Sequence, residues 1–256
     1  MKSMACSALF VLSFFANAQA QEPVPLAHGN VPGEPHHHLK IENEYVRVYY
    51  VEAPPHEATL LHQHDHDYIY VSLGSSDVVN AILNKPDIHL QLKDGETHFT
   101  RGGFAHVARN LADTPFRNVT IELLKPQDQL QNLCEKIVEG ELADCHLTEN
   151  RFMSGKPYFR SSEMAVSVWI LKPRAELVIT PPTDHLLVAL DQAEILLTFP
   201  DPRFGPRPAR DPATKLGSGG MLWLPANRAE TIKNLRSEPS SYMLVMFRDS
   251  GSDKKR

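Results

Sequence analysis

The chain carries one β-rich pattern twice, and this repeat limits the folds open to it more than any other feature. The stretch ATLLHQHDHDYIYVSL, from Ala58, aligns without a gap with AELVITPPTDHLLVAL, from Ala175. A second stretch, GETHFTRGGFAHVARN from Gly95, aligns with GGMLWLPANRAETIKN from Gly219. Such a repeat predicts two copies of one structural unit. Each copy would have about 90 to 110 residues, a common domain size.

Each copy is a series of short strand-like runs. YVRVYYVEA, DYIYVSLG and FRNVTIELL follow one another in the first copy, and MAVSVWILKP and SYMLVMF lie in the second, with turn residues between them. Short strands at this spacing predict an all-β protein built as an antiparallel sandwich or barrel. Between the copies, QDQLQNLCEKIVEGELADC has helical spacing and few β-branched residues, so we expect a short helix in the connector.

The amino terminus is typical of a secretory signal peptide. Lys2 precedes an apolar run over residues 8–15, and Ala18-Gln19-Ala20 is a small-x-small cleavage pattern. The run is too short for a permanent membrane span, and no other segment predicts one. We therefore expect an exported protein, periplasmic or extracellular. Two interpretations of the HHH at positions 36–38 are open, a loose metal site and a polar surface segment. The second is favoured because consecutive residues do not share a face.

These patterns divide the chain into six expected segments. They are a signal peptide over 1–20, an irregular leader over 21–42, a first β unit over 43–124, a helical or loop connector over 125–158, a second β unit over 159–248 and a tail over 249–256.

Charge and cysteine content narrow the environment and the partners. The formal net charge is −5, or −6 after the loss of Lys2, with no basic stripe, which argues against nucleic acid as a partner. Cys134 and Cys145 remain after cleavage and most simply form a disulfide in an oxidising compartment. The alternative is a pair of zinc ligands, for which His146 is the one nearby partner.

Three histidines alternate just before a strand-like run. His62, His64 and His66 lie at period 2, which points them to one face of an extended chain. They either hold something or decorate a solvent edge. His106, from a distant strand, can join His62 and His64 only where a sheet curls, as in a small barrel whose interior positions alternate. His89 and His98 have no partner at metal spacing and are expected at the surface.

The first copy resembles the cupins, small β-barrels with two sequence motifs. The second cupin motif, G-x5-P-x-G-x2-H-x3-N, is matched by Gly95, Gly103, His106 and Asn110, with Arg101 at the proline position. The first motif is a His-x-His pair followed by Glu, and His62-Gln63-His64 supplies the pair. The resemblance implies two cupin-type jelly-roll barrels in a bicupin-like chain.

The resemblance also implies a metal site in the first barrel, with His62, His64 and His106 as ligands. The motif's Glu would fall near residues 68 and 69, which are not acidic, so the candidates for a fourth ligand are Asp67 and His66. Neutral imidazoles suit Fe, Mn, Ni, Cu or Zn. One divalent transition metal is therefore the expected cofactor, with its identity open.

The second copy lacks these ligands. Ile179, Pro181 and Glu230 align with the three histidines. We expect it to cover the first barrel, to shape its entrance or to form a homodimer surface.

Two functions remain open. The leading one is a metal-dependent oxygenase or isomerase acting on a small organic molecule, with no residue assigned as general base. The alternative is a non-enzymatic module that binds a ligand or a metal, since fold does not fix function.

Overall fold

The strands account for nearly all regular structure. A computed structural model of the protein describes residues 30–133, 143–145, 156–179, 183–198, 200–201, 205–206, 213–226 and 231–248. Within these residues, the single helical element is a turn of 3₁₀ helix at Val31–Gly33. The all-β prediction is confirmed. In the same residues, no helix has the length and apolar character that crossing a membrane would require.

The first half of the protein contains nine strands in two sheets. They are β1 (His37–Glu42), β2 (Val46–Ala53), β3 (His62–His64), β4 (Tyr68–Ser72), β5 (Ser76–Ile82), β6 (Ile88–Leu92), β7 (Thr97–Thr100), β8 (Phe104–Asn110) and β9 (Phe116–Leu123). Two short strands follow, β10 (Gln131–Asn132) and β11 (Ala143–Cys145). One sheet has the order β1-β2-β9-β4-β7-β11 and the other has the order β3-β8-β5-β6.

The described residues of the second half form eleven strands. They are β12 (Lys156–Arg160), β13 (Met164–Leu171), β14 (Glu176–Val178), β15 (His185–Ala189), β16 (Ala193–Thr198), β17 (Pro200–Asp201), β18 (Gly205–Pro206), β19 (Thr214–Leu216), β20 (Met221–Leu224), β21 (Thr231–Asn234) and β22 (Ser240–Phe247). The sheet orders are β10-β12-β13-β22-β15-β20 and β14-β21-β16-β19, and β17 pairs with β18. Apart from β10, β11 and the β17–β18 pair, this arrangement repeats that of the first half strand for strand.

Because side chains alternate along the strands, the large sheet of each half has one face toward its own interior and a back face that packs on the other half. In β9, Val119 and Ile121 belong to a core that the two halves share, whereas Asn118 and Thr120 line a cavity inside the first half. Both faces of this strand are therefore covered, which explains why seven of its eight residues are buried. In the second half, Val245 belongs to the shared core and Leu244 to a separate interior cluster.

The two large sheets pack back to back through the shared core. Val48, Ile69 and Phe99 of the first half belong to one cluster with Phe159 and Val188 of the second, and all five are 0 % exposed. The rings of Phe99 and Phe159 lie 6.1 Å apart between centroids. The shared core makes the two halves one packing unit.

Three expectations about architecture need revision. In the described residues the strands of each half form two facing sheets rather than a closed hydrogen-bonded barrel. The described part of the connector shows short strands and turns, not a helix. The leader is not irregular throughout, because β1 pairs antiparallel with β2 from His37 to Glu42. The signal peptide, the tail and Cys134, and with it any disulfide, lie outside the described residues.

Candidate metal centre

Strand pairing brings the predicted histidines together. In β3, His62 and His64 are each 2 % exposed while Gln63 between them is exposed, as the period of a strand requires. β3 pairs with β8 so that His62 lies directly opposite His106. The centroid distances are 4.5 Å from His62 to His106, 5.2 Å from His64 to His106 and 5.1 Å from His62 to His64.

Each ring in the cross-strand pair is anchored through Nδ1. His62 donates from Nδ1 to the Leu60 carbonyl oxygen at 2.8 Å, and His106 donates to Asn80 Oδ1 at 2.6 Å. An N–H at Nδ1 leaves the lone pair of a neutral imidazole on Nε2. Both Nε2 atoms are buried, and neither has a hydrogen-bond partner in the described part of the chain. Buried polar atoms without partners are rare in native proteins and call for an explanation.

Burial keeps these imidazoles neutral. It lowers the pKa of His62 to about 4, with a further contribution from the neighbouring His37. It also lowers the pKa of His64 and of His106 well below the usual value, and nearby imidazoles add to the effect. Neutral imidazoles have the lone pairs that a metal ion binds. The partnerless Nε2 atoms and the neutral rings fit a divalent transition metal.

A histidine that sequence reasoning placed at the surface joins this cluster. The side chain of His37, in β1, is 5 % exposed. One ring nitrogen from each of His37, His62 and His64 can be chosen so that all three lie within 4.8 Å of one another. No apolar period in the sequence singles out His37, because β1 does not alternate between buried and exposed residues.

Two buried carboxylates lie beside the imidazoles. Glu34 is 2 % exposed and accepts a hydrogen bond from His37 Nδ1 at 2.5 Å. Burial alone would raise its pKa, but hydrogen bonds from His37 and His36 outweigh this and bring the pKa of Glu34 to about 2. Glu122 is also 2 % exposed, and its Oε1 lies 3.3 Å from His64 Nδ1, without the alignment of a hydrogen bond. Burial raises the pKa of Glu122 to about 7.

The candidates for a fourth ligand have other surroundings. Both carboxylate oxygens of Asp67 are engaged, one by Arg101 at 2.5 Å and one by the Gly102 backbone N–H at 3.1 Å. His66 is not among the residues that line the cavity at the imidazole cluster. Instead, its backbone packs so closely on Gly102 that a Cβ there would lie 2.4 Å from the His66 carbonyl oxygen. These two residues hold the turn before β8.

Where the motif expects an acid, the ring of Tyr68 stacks on that of His64, with centroids 4.1 Å apart and planes at 22°. The prediction that His98 lies at the surface is wrong. It is 0 % exposed, its Nε2 lies 2.8 Å from Glu96 Oε1, and its ring stacks on Tyr70 at 4.6 Å. His98 pairs with Tyr70 across β7 and β4, so its side chain follows the inward face of that strand pair.

The imidazole cluster lines a small cavity. Its volume is about 50 Å³, and His37, His62, His64 and His106 all contribute to its lining. Much of the remaining lining is apolar, including Val51, Val78, Leu90, Leu92 and Phe116. A cavity of about 150 Å³ holds a benzene molecule, so this one suits a few water molecules or a ligand of a few heavy atoms.

In the described residues of the second half, an apolar cluster occupies the interior. Ile179, which aligns with His62, is 4 % exposed and packs in an interior cluster with Leu187, Ile195 and Leu244. Pro181 and Glu230 lie outside the described residues. At the position equivalent to Glu122, β22 carries Met246, as the equivalent strand registers show. The apolar interior favours a structural role for this half.

Known structures share this fold. AerE from Microcystis aeruginosa superposes with a TM-score of 0.55 at 10 % identity over 84 % of this chain and 99 % of that one. A mutant of oxalate decarboxylase from Bacillus subtilis superposes with a TM-score of 0.55 at 14 % identity, over 82 % of this chain and 71 % of that one. A cupin 2 conserved barrel domain protein from Leptotrichia buccalis has a TM-score of 0.51 at 11 % identity, over 83 % of this chain and 88 % of that one. No protein-family model and no curated protein matches the sequence. At these identities the likeness shows the cupin fold alone.

Proposed function

We propose that the first half binds one divalent transition metal through His62, His64 and His106, and that the protein is a metal-dependent oxygenase or isomerase acting on a small organic molecule. The observation that carries this proposal is the pair of buried, partnerless Nε2 atoms on His62 and His106. Export, predicted from the first 20 residues, is part of the proposal. Among proteins of this fold, oxalate decarboxylase and salicylate 1,2-dioxygenase have the names of enzymes.

The chain's own residues prepare the site in two ways. Leu60 and Asn80 fix the ring orientation of His62 and His106, so that little reorganisation accompanies metal binding. Apolar walls that include Val78 and Phe116 limit water near the cluster and favour a ligand with an apolar body. When bound, Fe, Mn, Ni, Cu or Zn supplies Lewis-acid polarisation of a ligand oxygen.

The alternative is a module that binds a metal or small ligand without catalysis. The cavity of about 50 Å³ keeps this alternative open, because a small site serves sequestration as well as turnover.

Oxygen uptake and product analysis separate these functions. Tag-free, metal-depleted protein is reloaded with each of the five metals in turn and mixed with small phenolic and diketone compounds. Consumption of oxygen, or isomerisation, that is lost in His106→Ala and kept in His185→Ala supports an enzyme. His185 is a matched control because it is also 2 % exposed but lies in the second half. Metal binding without turnover favours the binding module. Failure to bind any metal overturns the metal-dependent enzyme and leaves only a module that binds a small ligand.

A further inference from the structure

We propose that His37 is a fourth metal ligand and that Glu34 is the residue that positions it. This inference rests on the metal site proposed above and extends it to the strand that precedes the cupin-like motifs. The sequence offers no acidic residue at the place where the motif expects one, since Tyr68 stands there and stacks on His64.

His37 occupies the right place for a ligand. Its ring centroid lies 4.7 Å from that of His62 and 6.1 Å from that of His64. It lines the same cavity as the three predicted ligands. One of its nitrogens lies within 4.8 Å of one from His62 and one from His64, a group that does not include His106. Because His37 Nδ1 is bound to Glu34, Nε2 is the nitrogen left to face the cluster.

Glu34 is built into the structure as a brace. Its Oε2 accepts hydrogen bonds from His37 Nδ1 at 2.5 Å and from the His36 backbone N–H at 2.8 Å. Its Oε1 accepts hydrogen bonds from His36 Nδ1 at 2.8 Å and from the Leu60 backbone N–H at 3.1 Å. The Leu60 carbonyl oxygen in turn holds His62 Nδ1. One buried carboxylate therefore fixes imidazoles on two strands, β1 and β3.

This arrangement is the carboxylate–histidine–metal pattern common in metalloproteins. A carboxylate that accepts from the far nitrogen of a ligating histidine orients the ring and makes it a stronger donor. Imidazole ligands carry no negative charge to offset the positive charge of the metal ion. Glu34 supplies a negative charge behind the His37 ring, at the nitrogen that faces away from the metal.

The wild-type protein gives the first test. X-ray absorption of the Co²⁺-loaded full chain counts the imidazole ligands around the metal. The inference predicts four. A count of three imidazoles overturns it while leaving the proposed metal site intact, whereas failure to bind Co²⁺ and each of Fe, Mn, Ni, Cu and Zn overturns the proposed function itself.

Variants give the second test. We expect His37→Ala to weaken Co²⁺ binding by 10- to 100-fold and to change the visible absorption of the bound ion, and added imidazole to restore both. Glu34→Gln should lower the affinity and shift the spectrum while keeping four imidazoles, as befits a positioning residue. His38→Ala, the adjacent and exposed position on β1, is the matched control and should change neither. Wild-type affinity and spectrum in His37→Ala would refute the fourth ligand.

Discussion

At the scale of single residues, two asparagines tie the loops of the two halves in the same way. Asn110 and Asn234 are 1 % and 0 % exposed. In each, the two Nδ2 hydrogens are shared among three backbone carbonyl oxygens, and Oδ1 accepts one backbone N–H. The acceptors are Ala53, Pro54 and Thr114 for Asn110, and Leu171, Lys172 and Glu238 for Asn234. The alignment of these asparagines in the sequence repeat thus corresponds to one conserved arrangement of hydrogen bonds.

Removing either asparagine should cost stability, but only one should affect the metal. Asn110→Ala and Asn234→Ala each leave several buried backbone groups unpaired, so we expect each to lower the free energy of unfolding by about 2–4 kcal/mol. Asn110 ends β8, the strand that carries His106. We therefore expect Asn110→Ala alone to weaken metal binding under native conditions. Urea unfolding and metal titration measure both effects, and equal metal affinities in the two variants would contradict the expectation.

Residue spacing predicted part of the site and missed the rest for a physical reason. His62, His64 and His106 could be found because strand period and motif spacing are local properties of the sequence. Glu34 and Glu122 could not be found in this way. Glu34 meets Leu60 across 26 residues, and Glu122 approaches His64 from a different strand. Such partners are set by sheet pairing, which local patterns do not encode.

At the scale of elements, the turn between β7 and β8 sets the two histidine strands against each other. The Gly103 backbone N–H donates to the His64 carbonyl oxygen at 2.7 Å, and the Gly102 N–H donates to Asp67. A Cβ on Gly102 would lie 2.4 Å from backbone atoms of His66, so no side chain fits. Gly74 differs, because its φ of +91° favours glycine while its surroundings are open.

Substitutions at the two glycines therefore distinguish the cost of backbone strain, at Gly74, from the cost of a steric clash, at Gly102. Gly102→Ala should cost about 1–3 kcal/mol through overpacking and should also weaken metal binding, because β8 must shift relative to β3. Gly74→Ala should cost about 1 kcal/mol through its backbone conformation and leave the metal affinity unchanged. Thermal unfolding and Co²⁺ titration of both variants provide the comparison. Unchanged Co²⁺ affinity in Gly102→Ala would mean that this turn does not position the site.

At this scale, the sequence predicted that most of the chain forms strands, but it did not predict every strand. The alternation in SDVVNAI, which forms β5, appears directly as alternating burial. The sequence did not predict β1, because the proline- and histidine-rich stretch in which it begins has no apolar periodicity. Its pairing with β2 defines it in the structure. The helix expected in the connector does not form over residues 127–133, where Gln131 and Asn132 pair with β12 instead.

At the scale of the whole molecule, the shared core should make the halves unfold together. Phe159 of the second half is 0 % exposed and packs in one cluster with Phe99 and Ile69 of the first. Phe159→Ala should lower the free energy of unfolding by about 3–5 kcal/mol, the usual cost of truncating a buried phenylalanine. The repeat predicted two units, but the alignment could not show that their backs form a common core.

Two signals that report on different halves can check this coupling. Both tryptophans, Trp169 and Trp223, lie in the second half, and the proposed metal lies in the first. Trp223 stacks on Tyr45 of the first half, so Trp169 in a Trp223→Phe background is the signal that reports on the second half. We expect Trp169 fluorescence and metal release to follow the same denaturant midpoint in this background, with and without Phe159→Ala. Midpoints that separate would show that the halves unfold independently.

The most direct measurement is the metal content of tag-free mature protein, determined by elemental analysis after loading and desalting. The account predicts one transition-metal ion per chain in the wild type and in His185→Ala, and none retained in the His62→Ala/His106→Ala double variant. A double variant that folds and keeps its metal, or a wild-type chain that retains none, would contradict the central claim that these imidazoles converge to bind it.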